Sequence, residues 1–189
     1  MLQPVNLEKS YRLINHGPTV MLSAKYANIE NVMSISWVCA LEFKPAKVTV
    51  VIDKSAYSRS LVEQSGYFAL QVPFASQAAM VIAMGESYKQ NPHKLADNNI
   101  ELFYQDGVDI PLVKGCSAYI LCKLIPEPHN QHTHDLFIGE VIAAYADDRV
   151  FCDDHWIFDQ VADELKNLHY VAGGQFYITG KGLEVEGGP

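Results

Sequence analysis

Short runs rich in β-branched and aromatic residues, each ended by Gly, Pro, Asn or Asp, recur along almost the whole chain. They constrain its fold more than any other feature. The runs are residues 19–26, 32–40, 47–52, 67–72, 118–125, 136–145 and 175–179. Each has the length and composition of a strand, and Pro45 and Pro73 punctuate the series. Helical signals are fewer. Residues 58–64 read as a short helix stopped by Gly66, and residues 76–84 as a second, with Ser76 as N-cap and Gly85 as C-cap. A third is expected over 154–167, where Trp156, Ile157, Val161 and Leu165 recur at roughly helical spacing. An alternating βαβ fold needs a helix after nearly every strand, and this chain lacks them. The expectation is an all-β dominated (β+α) fold: a closed antiparallel barrel with peripheral helices, in one domain over residues 1–189.

Composition excludes several function classes. Apolar residues are 49 % and charged residues 19 % of 189, far from a disordered chain. The net charge of −8 argues against nucleic acid, whose backbone demands clustered Lys and Arg. The longest apolar run, residues 78–84, is too short for a membrane span. The first residues carry neither a charged n-region nor an apolar h-region, so a cytoplasmic protein is expected. Cys39, Cys116, Cys122 and Cys152 are widely spaced in apolar runs and read as reduced, buried small hydrophobes.

Most chemistry-bearing patterns have a plainer meaning. His129, His132 and His134 lie beside Pro126 and Pro128 with only Asp135 near, and read as a solvated loop with no metal. Asp147-Asp148 and Asp153-Asp154 read as turn residues, the second pair also as a helix start. The glycines of 173–182 have the wrong spacing for a phosphate loop, and no Gly-x-Ser-x-Gly elbow is present.

Residues 28–59 are more informative. Asn31, Ser34 and Ser36 alternate with Met33, Ile35 and Trp37, which suits a strand lining a flat, partly polar ligand; an amphipathic strand meeting water has the same pattern. The following Asp53-Lys54-Ser55-Ala56-Tyr57-Ser58-Arg59 leads into a helix. Its hydroxyls, N–H groups and local cations form an anion site, unless Ser55 or Ser58 simply caps the helix.

Residues 28–45, the Val-rich run after them and Lys54-Ser-Ala-Tyr-Ser58 together resemble the flavin reductase–like family, which includes the flavoredoxins. So do residues 61–73, Phe137-Ile-Gly-Glu-Val141 and residues 168–176. The resemblance implies an FMN-binding split β-barrel and a homodimer with FMN near the subunit interface. It implies that Asn31, Met33, Ser34, Ile35, Ser36, Trp37, Val38 and Cys39 line the isoalloxazine and ribityl chain. Lys54, Ser55, Tyr57 and Ser58 would hold the phosphate, which turns the helix start from a cap into an anion site. Arg59, Lys89, Gly174 and Phe176 are further candidate contacts. Residues 85–94 depart from the family's pattern; Ser87, Lys89 and Lys94 alone look equivalent there.

The function implied is an NAD(P)H-dependent flavin reductase, in which a nicotinamide passes hydride to flavin N5. That chemistry belongs to the cofactor and requires no catalytic side chain. Reduced flavin would serve a partner oxygenase or another electron acceptor. Two alternatives stand beside it: a non-enzymatic FMN electron carrier, and a barrel that binds another ligand such as haem.

Overall fold

The structure is a computed structural model and describes residues 1–185. The strands are β1 (Leu2–Pro4), β2 (Val20–Tyr26), β3 (Ile29–Ile35), β4 (Val38–Phe43), β5 (Ala46–Val51) and β6 (Tyr67–Val72). After them come β7 (Leu102–Phe103), β8 (Leu112–Val113), β9 (Ala118–Ile125) and β10 (Leu136–Asp147). The last four are β11 (Phe151–Cys152), β12 (His155–Trp156), β13 (Leu168–Ala172) and β14 (Gln175–Ile178). Four α-helices interrupt them: α1 (Tyr57–Ser65), α2 (Ala78–Met84), α3 (Lys94–Asp97) and α4 (Pro128–His134).

The main sheet runs β3-β2-β6-β9-β10-β5-β4, all antiparallel, with β1 added to the far half of β10. Every strand of this path sends side chains into one shared core. Val20 and Leu22, Phe68 and Leu70, Ile120 and Cys122, Phe137, Val48 and Val50 are all buried there. The sheet is therefore curled around that core. It is split rather than closed: no ladder joins β3 to β4, so the expected closure is not what the hydrogen bonding describes.

The other face of β2, β6 and β9 is also covered. Met21, Ala69, Tyr119 and Leu121 pack under Val81 and Met84 of α2 and under Leu112 and Val113 of β8. Burial on both faces explains why these strands read as near-continuous apolar runs. Along β10 the inward positions are Phe137, Gly139 and Val141 and then Ala144 and Ala146, because a bulge at Ile142 shifts the register by one.

Several local expectations are corrected. The run 32–40 is two strands, broken at Ser36-Trp37. No helix spans 154–167. Asp153 and Asp154 adopt left-handed φ of 48° and 61° and make the two-residue turn of the β11–β12 hairpin instead. Trp156 and Phe158 then stack, ring centroids 4.9 Å apart, and pack with Phe74 and Val150. The apolar spacing there reflects a satellite core on irregular backbone. The histidine segment is a helix, α4, with Pro128 in its first turn, where a proline has no N–H to waste. Ser76 lies inside a 3₁₀ turn that leads into α2 and is not its cap. Cys116 and Cys122 are buried as expected, whereas Cys39 and Cys152 are exposed. No helix among the described residues is long and apolar enough to cross a membrane.

Candidate flavin site at the open edge of the sheet

Strand β3 ends the sheet, so half of its backbone N–H and C=O groups lack a strand partner. Two helices flank this edge, α1 on one side and α2 on the other. The β3 alternation divides between them. Asn31 and Met33 face the α1 side, while Ser34 and Ser36 face α2.

Two adjoining cavities follow the edge. The larger, of about 430 Å³, is walled by Val81 and Ile82 of α2, by Tyr170 and Phe176 of the β13–β14 hairpin, and by the hydroxyl residues Thr19, Ser34 and Ser36. Its walls are mainly apolar with a few polar groups, the composition of a small-molecule site. The Thr19 Oγ1 accepts from the Tyr170 N–H at 2.8 Å, which ties the hairpin to the sheet. The smaller cavity, of about 220 Å³, lies at the start of α1. Asn31, Met33, Asp53, Ser55, Ala56 and Tyr57 line one side, and Met84, Ser87, Tyr88 and Lys94 the other. Ser34, Gly85 and Glu86 border both cavities, so the two form one groove.

The start of α1 decides between the two readings of the serines. Its N-cap is Ala56, at φ −70° and ψ 126°, and no side chain caps the helix. Ser55 donates its Oγ and its N–H to Asp53 Oδ1, at 2.6 and 2.7 Å. These bonds hold the Asp53 carboxyl below the usual carboxylate range. Ser58 is fully buried, and its Oγ accepts from Asn31 Nδ2 at 2.9 Å. Neither serine caps α1. Of the first turn, the Arg59 N–H donates to the Ala56 carbonyl at 3.2 Å, and the N–H groups of Tyr57 and Ser58 are left for water or a ligand. Asn31 adds a second sign of a missing partner: it is 2 % exposed and its Oδ1 has no hydrogen bond. A buried amide oxygen without a donor is costly.

Lys94 supplies the cation. It is 1 % exposed, and its Nζ donates to the carbonyls of Met84 and Glu86 at 2.9 and 2.8 Å, fastening the segment after α2. Burial pushes its pKa down from 10.5 to about 8, an effect that neighbouring Glu86 partly offsets.

Not every residue expected at the site is there. Ile35 points into the barrel core and Val38 packs half-buried against it. Trp37 is 73 % exposed, and Cys39 is exposed on β4 opposite Thr49. Lys54 lies outside both cavities, its Nζ 3.8 Å from Asp135. Arg59 is turned away: its guanidinium donates to Glu63, to Asp135 and to the carbonyls of Ile52 and Gln131. Lys89 is exposed and outside the groove, and Gly174 forms the β13–β14 turn at φ 82°. Asn31, Met33, Ser34, Ser36, Ser55, Tyr57 and Phe176 do line it, with Ser58 beneath Asn31. Thr19, Ile82, Glu86, Tyr88 and Tyr170 were not anticipated. Ile82 lies in a helix that is apolar throughout, so one of its faces must either meet solvent or line a cavity, and Ile82 is 48 % exposed. Among the described residues no group of three His, Cys, Asp or Glu is placed to hold a metal ion.

A model of the flavin reductase like domain matches residues 11–159. The chain belongs to that family. It is 34 % identical over 181 residues to the uncharacterized protein YddH of Escherichia coli (strain K12), covering 94 % of this chain and 95 % of that one. Among solved structures it is similar to an FMN-binding domain of a flavin reductases-like enzyme from Shewanella baltica OS155. That match has 48 % identity, a TM-score of 0.96 and 98 % coverage of both chains. It also shares its fold with the flavoredoxin of Desulfovibrio vulgaris (Miyazaki F), at 20 % identity, a TM-score of 0.77, and 90 % and 91 % coverage. Both solved structures thus share the frame on which the β3 groove is built.

Proposed function

We propose that this flavin reductase–like chain binds FMN in the β3 groove and acts as an NAD(P)H-dependent flavin reductase, as a single domain over residues 1–189. The observation that carries the reading is the start of α1, capped by no side chain and bordering a cavity that Asn31, with its unpartnered buried Oδ1, also lines. A helix N-terminus with free N–H groups favours a phosphate, and Lys94 adds charge from the opposite wall. Ser55 and Ser87 offer hydroxyls beside it. The larger cavity suits the ring system, with Val81, Ile82 and Phe176 as apolar walls and Ser34 and Ser36 as polar contacts.

FMN held here by the start of α1, Lys94 and the β3 edge would supply the redox chemistry, with a nicotinamide as hydride donor. The protein's part is to orient and shield. Tyr170 and Phe176 cover one side of the cavity, and the β3 edge presents backbone groups to the other. No side-chain acid or base is needed for hydride transfer, consistent with hydroxyl and apolar side chains as the main lining.

A homodimer is part of this reading. Trp37, Leu41 and Phe43 are large apolar side chains on the open β4 side, exposed by 73, 51 and 59 %. Such a patch beside an unpaired edge strand favours a second copy. A cytoplasmic location and delivery of reduced flavin to a partner oxygenase or other acceptor complete the proposal. The test is an anaerobic titration of the FMN-loaded protein with NADH and with NADPH. Bleaching of the flavin band by either one is expected. No bleaching by both would remove the reductase reading and leave an electron carrier reduced by a partner.

A further inference from the structure

We propose that the stacked pair Tyr57 and Tyr88 closes the phosphate end of the groove and makes the site selective for a flavin monophosphate over a flavin dinucleotide. This rests on the reading of the groove as a flavin site and adds a specificity to it. The two rings are nearly parallel, 10° apart, with centroids separated by 4.0 Å. Tyr57 is the first residue of α1, and Tyr88 lies on the segment between α2 and α3. Both line the smaller cavity, Tyr57 from the start of α1 and Tyr88 from the facing segment, and neither lines the larger. A phosphate held at the start of α1 lies beside the tyrosine pair, because Tyr57 is the first residue of that helix. The diphosphate and adenosine of a dinucleotide have to leave the site on that side.

The wall is anchored. The segment that carries Tyr88 is fastened by the buried Lys94 Nζ to the carbonyls of Met84 and Glu86. Charge acts in the same direction as shape. The Asp53 carboxylate lines the same cavity, and Glu86 borders it on the side of the larger one. Lys54, the cation nearest in sequence, is held 3.8 Å from Asp135 instead. One helix start and Lys94 face one phosphate here. A second phosphate would meet Asp53 with no further cation lining the cavity.

The experiment is isothermal titration of the apoprotein with FMN and with FAD, for the wild type, Tyr88→Ala and Tyr88→Phe. The wild type is expected to bind FMN at least tenfold more tightly than FAD. Removing one stacked ring in Tyr88→Ala is expected to lower that ratio by roughly tenfold, and Tyr88→Phe, which keeps the ring, to preserve it. Equal affinities for FMN and FAD in the wild type would overturn the proposal without any variant, as would an unchanged ratio in Tyr88→Ala. A wild type that binds neither flavin would instead overturn the flavin-site reading beneath it.

Discussion

Ala56→Asp is expected to strengthen α1 and to abolish tight FMN binding in the same protein. Ala56 already has the extended backbone of an N-cap, at φ −70° and ψ 126°, but no side-chain acceptor. An Asp there accepts from the first-turn N–H groups, a change that contributes about 1 kcal/mol, and its charge complements the helix dipole. For a domain of this size that corresponds to a rise of about 2–4 °C in Tm of the apoprotein. The same carboxylate occupies the place of the phosphate. Two hydrogen bonds to a charged group contribute about 1.5–3 kcal/mol each, so their loss costs about 3–6 kcal/mol. FMN affinity then falls roughly a hundredfold to ten-thousandfold. Ala56→Ser is the neutral companion: it stabilises α1 by a similar amount and its loss of affinity is confined to the N–H that the hydroxyl takes. The assay is a thermal melt of each apoprotein beside an FMN titration. An Ala56→Asp protein that binds FMN as tightly as the wild type would refute the placement of the phosphate at α1.

Three further outcomes are expected. Burial, with a smaller contribution from the charge of His169, pushes His16 from 6.5 down to about 4. The unfolded chain therefore takes its proton first, and stability present above pH 6.5 is lost as pH falls towards 4, by up to roughly 3 kcal/mol. Denaturant melts at pH 7 and pH 4.5 measure this, and an unchanged slope in His16→Gln would assign the loss to other groups. Gly139→Ala places a Cβ 2.5 Å from Phe68 Cζ and 2.9 Å from Cys122 Cβ inside the barrel. Overpacking of that kind costs about 1–3 kcal/mol, and pairing it with Phe68→Leu should return part of the loss if the clash is its cause. Lys94→Met leaves the carbonyls of Met84 and Glu86 without their donor. The apoprotein is expected to lose about 2 kcal/mol and to bind FMN more weakly, and a melt and titration that match the wild type would show the strut to be dispensable.

The strands buried on both faces were the most legible part of the chain. Residues 67–72 and 118–125 coincide with β6 and β9 because both sides of these strands are apolar and Gly66 and Pro73 bound the first. Gly66 was legible as the stop of α1 for a local reason: it takes φ 74°, which a side chain disfavours. Residues 154–167 misled because their apolar spacing is helical, yet Trp156, Val161 and Leu165 meet Phe74 and Val150 through turns. Strand β13 was missed, being short and mostly exposed.

At the site, the alternation of Ser34 and Ser36 with Met33 matches residues that line the groove, since period-two patterning is a local property. Which way a charged side chain turns is not local. Lys54 and Arg59 adjoin the helix start in sequence, yet both turn to Asp135, which is brought there by α4 and β10. Tyr88 and Tyr170 reach the groove only through tertiary packing of α2 and the β13–β14 hairpin, whereas Lys94 was marked in advance by its match to the family pattern over residues 85–94.

The central claim is that the β3 groove holds FMN. Its most direct test is the visible absorption spectrum of the purified, desalted protein, with the released ligand identified by mass. A flavin spectrum with the mass of FMN is the predicted result. A colourless protein that also fails to retain added FMN would contradict it, and the open start of α1 would then need another anion to explain it.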